Sequence, residues 1–195
     1  MIWSEIPVYS TFAFDNEKTN QIAENQLAEK KGRDKNRAGV IYWSVANDTP
    51  VSDQRNVFLS KLIEKARELD SSRLITAALD TQSNKNGFKV IDDPLADIVD
   101  VIGINNYCGW YGGTPESCGN VKWKNTYQKP LVMSEVGAGA LYGYHGKKED
   151  RWTEEYQDEV YKTNLKMVDN IEFLRGLSPW ILMDFRSPRR HLKKI

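Results

Sequence analysis

Two short strings carry the residues best suited to chemistry: Trp43-Ser44-Val45-Ala46-Asn47-Asp48 and Val132-Met133-Ser134-Glu135-Val136-Gly137. Each is an apolar run that stops at a carboxylate. A buried strand ending in an acid, twice in one chain, is how a parallel α/β barrel presents two carboxyl groups to one mouth. Two facing carboxyl groups are the minimum set for breaking a glycosidic bond. Asn47, directly before the first acid, could donate its amide to a sugar hydroxyl. Read alone, Asn47-Asp48-Thr49-Pro50 fits a turn and helix entry equally well. Glu135 at a strand end must be hydrogen-bonded or ion-paired, because an unpaired buried carboxylate is very costly. A salt bridge holding the rim is its plain alternative.

A third string, Asn105-Asn106-Tyr107-Cys108-Gly109-Trp110-Tyr111, closes another apolar run. The Tyr107 hydroxyl could hold a carboxylate in place, and Trp110 or Tyr111 could stack on a sugar; an aromatic cluster capping a barrel reads as well. Trp180 offers a further sugar platform, although a Trp opening a strand belongs more often to the core. His145 has no second ligand nearby, so no metal site is expected. The run of Arg186, Arg189, Arg190, His191, Lys193 and Lys194 reads as a solvated tail.

These residues must be positioned by strands and helices in alternation. Apolar runs predict strands over 2–9, 39–45, 74–79, 98–104, 131–134 and 179–183. Helical segments are predicted over 15–35, 53–69 and 153–174. In the second of these, Phe58, Leu62, Ala66 and Leu69 recur at helical spacing. Near-continuous apolar strands separated by helices argue for parallel strands buried on both faces. No Gly-rich phosphate turn follows any strand, which disfavours an open doubly wound sheet. The fold class is therefore α/β, of the (β/α)8 TIM-barrel type. Six strands can be read where a closed barrel has eight and about 250 residues, so either two strands go unread or the chain lacks the first two.

At 195 residues, with neither a linker nor a repeat, the chain reads as one domain over residues 1–195. Its 27 basic and 27 acidic side chains cancel, so no global field favours nucleic acid or an anionic membrane. There is no run of about eighteen apolar residues to span a bilayer. Nothing at the N-terminus follows a signal-peptide pattern, and the compartment stays open. Cys108 and Cys118 show neither metal spacing nor a disulfide framework, and unpaired thiols are favoured over a bridge.

Together these strings resemble the catalytic barrel of glycoside hydrolase family 2, the β-galactosidase and β-glucuronidase family. The resemblance runs in order through Glu5 after Ile2-Trp3-Ser4, Arg33-Asp34-Lys35-Asn36, and Val40 to Asn47. It continues through Asp100-Val101-Ile102-Gly103-Ile104-Asn105 with Tyr107, Gly109, Trp110 and Tyr111. Ser134-Glu135-Val136-Gly137, Trp152 to Gln157, and Trp180 with Asp184-Phe185 complete it. It implies a retaining β-glycosidase that needs no cofactor and no metal for its core chemistry. Glu135 falls at the nucleophile and Asp48 at the acid/base, where the family carries Glu, a side chain longer by roughly 1.5 Å. Asn47 falls at the sugar-hydroxyl contact, Tyr107 at the residue steadying the nucleophile, and Asn105 and Trp180 at direct sugar contacts. The expected partner is a carbohydrate, of β-galactoside or β-glucuronide type. The resemblance also implies that the first two barrel strands and upstream β-sandwich domains are absent, with truncation near the C-terminus as well. Exposed barrel edges would allow a homo-oligomer. The alternative is a non-catalytic remnant that folds or binds sugar without turnover.

Overall fold

The computed structural model describes residues 1–10, 13–83 and 88–185. The basic run from Arg186 onward lies outside the described residues. In chain order the elements are β1 (Ile2–Glu5), α1 (Glu17–Asp34), β2 (Val40–Asn47), α2 (Asp53–Leu69), β3 (Leu74–Leu79), β4 (Gln82–Ser83) and β5 (Phe88–Ile91). A 3-10 turn (Pro94–Asp97) follows, then β6 (Val101–Asn106), α3 (Pro115–Cys118), β7 (Lys122–Asn125), β8 (Leu131–Val136), α4 (Glu154–Val168) and β9 (Leu174–Pro179). Six strands pair side by side in the order β1-β2-β3-β6-β8-β9. Every one of these pairings is parallel. This is an incomplete TIM barrel, an arc of six strands where closure takes eight.

Local sequence explains where the principal helices begin. Asn16, Ser52 and Thr153 each turn a side-chain oxygen onto a backbone N–H of the first turn of α1, α2 and α4. The inner face of α2, including Phe58, Leu59, Leu62, Ile63 and Ala66, is buried. It packs in one core with Trp43, Ile75, Leu79 and Ile102 of the strands. Burying a large aliphatic side chain contributes about 1.5–3 kcal/mol, so this helix–sheet layer carries much of the fold.

The sheet is strongly curled, and Gly103 shows it. A Cβ at Gly103 of β6 would lie 2.4 Å from Cη2 of Trp3, a residue of β1. β1 and β6 are three places apart in the sheet, about 14 Å if it were flat. The Trp3 ring therefore crosses the concave interior of the arc to rest on a strand that carries no side chain there.

Several expected boundaries shift. The first strand stops at Glu5, because Pro7 cannot donate to a ladder, although Tyr9 still bridges to Asn47. The last strand is Leu174–Pro179, upstream of the apolar 179–183 run. Among the described residues it pairs only with β8, as the final strand of the arc, so Arg175, Gly176 and Ser178 are admissible. Leu182 and Met183 are 96% and 76% exposed, so their apolar character was not that of a buried strand. Accordingly α4 ends at Val168 rather than at 174. The small sheet β4-β5-β7, built from segments of two to four residues, has too short a pattern to announce itself. Cys108 and Cys118 form a disulfide, against the expectation of unpaired thiols. The two cysteines flank a turn around α3 that returns the chain on itself, a proximity that spacing alone does not reveal.

Candidate active site

The C-terminal ends of β2, β6 and β8 converge on one pocket. Asn47 is the last residue of β2 and Asp48 the next, Asn105 lies near the end of β6, and Glu135 near the end of β8. Register shifts occur in these end segments, between Ser44 and Asn47 on β2 and between Ile104 and Asn105 on β6. Such irregularities re-aim side chains that strict alternation would send elsewhere.

The polar groups form one connected network. Tyr107 donates its hydroxyl to Glu135 Oε2 at 2.5 Å, and Asn47 Nδ2 donates to Glu135 Oε1 at 3.2 Å. Asn105 Nδ2 divides its two hydrogens between Asn47 Oδ1 at 2.7 Å and Asp48 Oδ2 at 2.9 Å. The Ser134 hydroxyl meets Asn105 Oδ1 at 2.9 Å, which sets the orientation of that amide. Asn47 and Glu135 belong to strands three places apart, about 14 Å in a flat sheet. Their hydrogen bond exists only because the sheet curls.

A third carboxylate borders the pocket. Glu5, at the end of β1, accepts from Trp3 Nε1 at 3.0 Å and from the Ser44 hydroxyl at 2.8 Å, both on Oε2. Burial pushes the Glu5 carboxyl above its usual range and the Glu135 charge adds to this, against the bonds from Trp3 and Ser44. Asp48 is also raised. Its carboxyl reaches solvent at the mouth, yet the pocket walls strip much of its hydration. The bond from Asn105 lowers it, while the charges of Glu135 and Asp80 raise it further. Burial, the bond to Glu135 and that carboxylate's charge together keep the Tyr107 phenol protonated at any ordinary pH.

Of the residues singled out in the sequence, Glu135, Asp48, Asn47, Asn105 and Tyr107 are thus brought into one network. Trp180 stands on the same rim. Its backbone N–H bonds Val136 O at 2.8 Å, one residue beyond Glu135, and the residue is 46% exposed rather than in the core. That ring lies edge-on to Phe185. Trp110 packs into a small second core with Ala138, Tyr156 and Val160, which supports the loop carrying Tyr107. Among the described residues, no group of three His, Cys, Asp or Glu side chains is arranged to hold a metal ion. His145 instead pairs with Glu155, its Nδ1 lying 2.8 Å from Oε1. Sequence reading did not single out Ser44 and Ser134 as contributors. Their signal was position alone, small polar residues just upstream of each strand's terminal acid.

The chain matches the family profile of the glycosyl hydrolases family 2, TIM barrel domain, over residues 3–182. It is 31% identical over 187 residues to a β-glucuronidase of Paenibacillus borealis, covering 88% of this chain and 29% of that protein. Among solved structures it resembles the β-D-glucuronidase of Dictyoglomus thermophilum, at 30% identity and a TM-score of 0.73, over 89% of this chain and 31% of that one. It also resembles a β-glucuronidase of an uncultured Clostridium sp., at 27% identity and a TM-score of 0.82, over 99% of this chain and 35% of that one. The chain thus spans roughly a third of the length of the proteins it matches.

Proposed function

Since the chain belongs to glycosyl hydrolase family 2, we propose that it carries the catalytic barrel of a retaining β-glycosidase acting on terminal β-glucuronides. The reading rests on one observation above others: Glu135 and Asp48 share a chain of two amides, Asn47 and Asn105, across the mouth of the arc. In this reading the Glu135 carboxylate attacks the anomeric carbon and forms the glycosyl-enzyme bond as the bond to the leaving oxygen breaks. Asp48 gives its proton to that oxygen, then takes one from the water that releases the sugar. A carboxyl raised by enclosure and by a neighbouring negative charge suits the acid role, because it keeps its proton nearer to neutral pH. Tyr107 steadies the nucleophile. The Asn47 amide, now on Glu135, is placed to pass a donor to the sugar 2-hydroxyl, a contact that tightens in the transition state. The relatives' names favour a glucuronide over a galactoside.

Asp48 has one methylene fewer than Glu, and this favours a second reading, a sugar-binding remnant without turnover. Hydrolysis of 4-nitrophenyl β-D-glucuronide and β-D-galactoside by the chain, by Glu135→Gln and by Asp48→Glu separates the two. The glycosidase reading expects turnover of the glucuronide that Glu135→Gln reduces by at least about 1000-fold, the size of loss seen when a catalytic group acting as a unit is removed. Turnover confined to Asp48→Glu establishes the remnant, and turnover unaffected by Glu135→Gln refutes both.

A further inference from the structure

Asp48 holds a backbone conformation that aspartate enters at a cost, with φ at 47° in the left-handed region. Such a residue persists only where its surroundings over-determine it. On one side its N–H donates to Ala78 O at 2.9 Å. On the other stands Thr49, completely buried, whose hydroxyl accepts from Nε of Arg55 at 2.9 Å. Arg55 is itself wholly buried and forks onto Asp93, Nη1 to Oδ1 at 2.7 Å and Nη2 to Oδ2 at 2.8 Å. Asp93 in turn accepts from Leu95 N at 2.9 Å and so is tied to the 3-10 turn that precedes β6. An ion pair taken entirely out of water is weak evidence for stability, since apolar residues would serve as well. Nη1 donates also to Asn56 Oδ1 at 3.0 Å, and what distinguishes this pair is the aim of the guanidinium Nε–H. It holds the residue next to Asp48.

We propose that the buried Thr49–Arg55–Asp93 chain is a clamp that sets where the Asp48 carboxyl stands, which makes Thr49 and Arg55 positioning residues for the acid/base step. The catalytic consequence rests on the glycosidase reading; the positioning does not. Without the clamp, residue 48 leaves the left-handed region, Oδ2 parts from the Asn105 amide, and the carboxyl turns towards solvent. A displacement of about 1 Å in a reacting group costs on the order of 100-fold in rate.

The test uses the full chain with Thr49→Val, which exchanges the hydroxyl for a methyl at similar volume, and Thr49→Ser, which restores the acceptor. The Asp48 carboxyl is followed by carbon-13 NMR titration, assigned with Asp48→Asn, beside kcat and KM on 4-nitrophenyl β-D-glucuronide. Glu135 from β8, Asp80 after β3 and Tyr107 after β6 face the titrating group and are unaltered. The clamp predicts that Asp48 titrates lower in Thr49→Val, since it loses its enclosure, and that kcat falls ten- to a hundredfold at nearly constant KM. Thr49→Ser should match the parent on both counts. An Asp48 titration identical to the parent in folded Thr49→Val overturns the clamp, as does a Thr49→Ser that behaves like Thr49→Val. Should Thr49→Val fail to give a native circular dichroism spectrum, Thr49→Ala decides by the same titration. If no variant turns over and the titration still shifts and recovers, the clamp stands and the glycosidase reading falls.

Discussion

Tyr107 and Glu135 meet at 2.5 Å, the shortest link in the pocket, and burial together with the bond to Glu135 raises the phenol above its usual range. A hydrogen bond to a charged acceptor contributes about 1.5–3 kcal/mol. On the proposed glycosidase reading, Tyr107→Phe is therefore expected to lower kcat by roughly 10- to 150-fold with KM little changed, in steady-state kinetics on a nitrophenyl glucuronide. A rise in KM at constant kcat would mean that Tyr107 binds sugar instead. Asp48 permits a test independent of turnover. Its proton is held more firmly in the folded than in the unfolded chain, so its contribution favours folding below the ordinary value of 3.8 and is lost as pH rises through the raised folded value. Asp48→Asn, which keeps an acceptor for Asn105, should thus melt above the parent at pH 7 and lose that advantage near pH 3. Equal melting temperatures at pH 7 would refute the raised value. Asp34 has the opposite sign. Hydrogen bonds from Arg33 hold it down to about 2, so its contribution is present above 3.8 and lost in acid.

At the scale of elements, the interior of the arc depends on β6 presenting no side chain at Gly103. The added methyl of Gly103→Ala would meet both the Trp3 ring and, at 2.8 Å, the carbonyl of Ala77, which as backbone of β3 cannot step aside. Overpacking of this kind costs about 1–3 kcal/mol, measurable as a lower denaturation midpoint in urea. A midpoint matching the parent would show that the arc is flatter than described. Elements whose own residues carry an extensive buried surface were the legible ones. The strand over 74–79 and the helix over 53–69 stand where the apolar pattern put them, because the strand is a continuous buried run and the helix buries a stripe at period 3.6. β9 was displaced because a strand paired on one side alone does not need an unbroken apolar run.

For the molecule as a whole, the curl of the sheet and the ties between its loops matter most. The Cys108–Cys118 disulfide closes a separation of 10 residues directly after Tyr107. Asn164 of α4 reinforces the same corner, accepting from Asn106 at 2.8 Å and donating to Cys108 O at 3.1 Å. In the chain-entropy view a loop of that length contributes about 2–3 kcal/mol. The double variant Cys108→Ser, Cys118→Ser should lose about that much in urea unfolding, and addition of reductant should then have no further effect. A loss of under about 0.5 kcal/mol would mean that the α4 ties alone hold the corner.

By itself the amino-acid sequence determined the alternation of the principal elements, five of the six parallel strands of the arc, and which acids and amides stand at strand ends. Those features are local, set by side-chain periodicity and by the residues that interrupt it. Only the tertiary structure decided that an amide from β2 would touch a carboxylate from β8, that Asp48 would stand in a left-handed turn, and that two cysteines would pair. Each of these depends on strand twist accumulated over several neighbours, or on a register shift, and neither is written in any single stretch of chain.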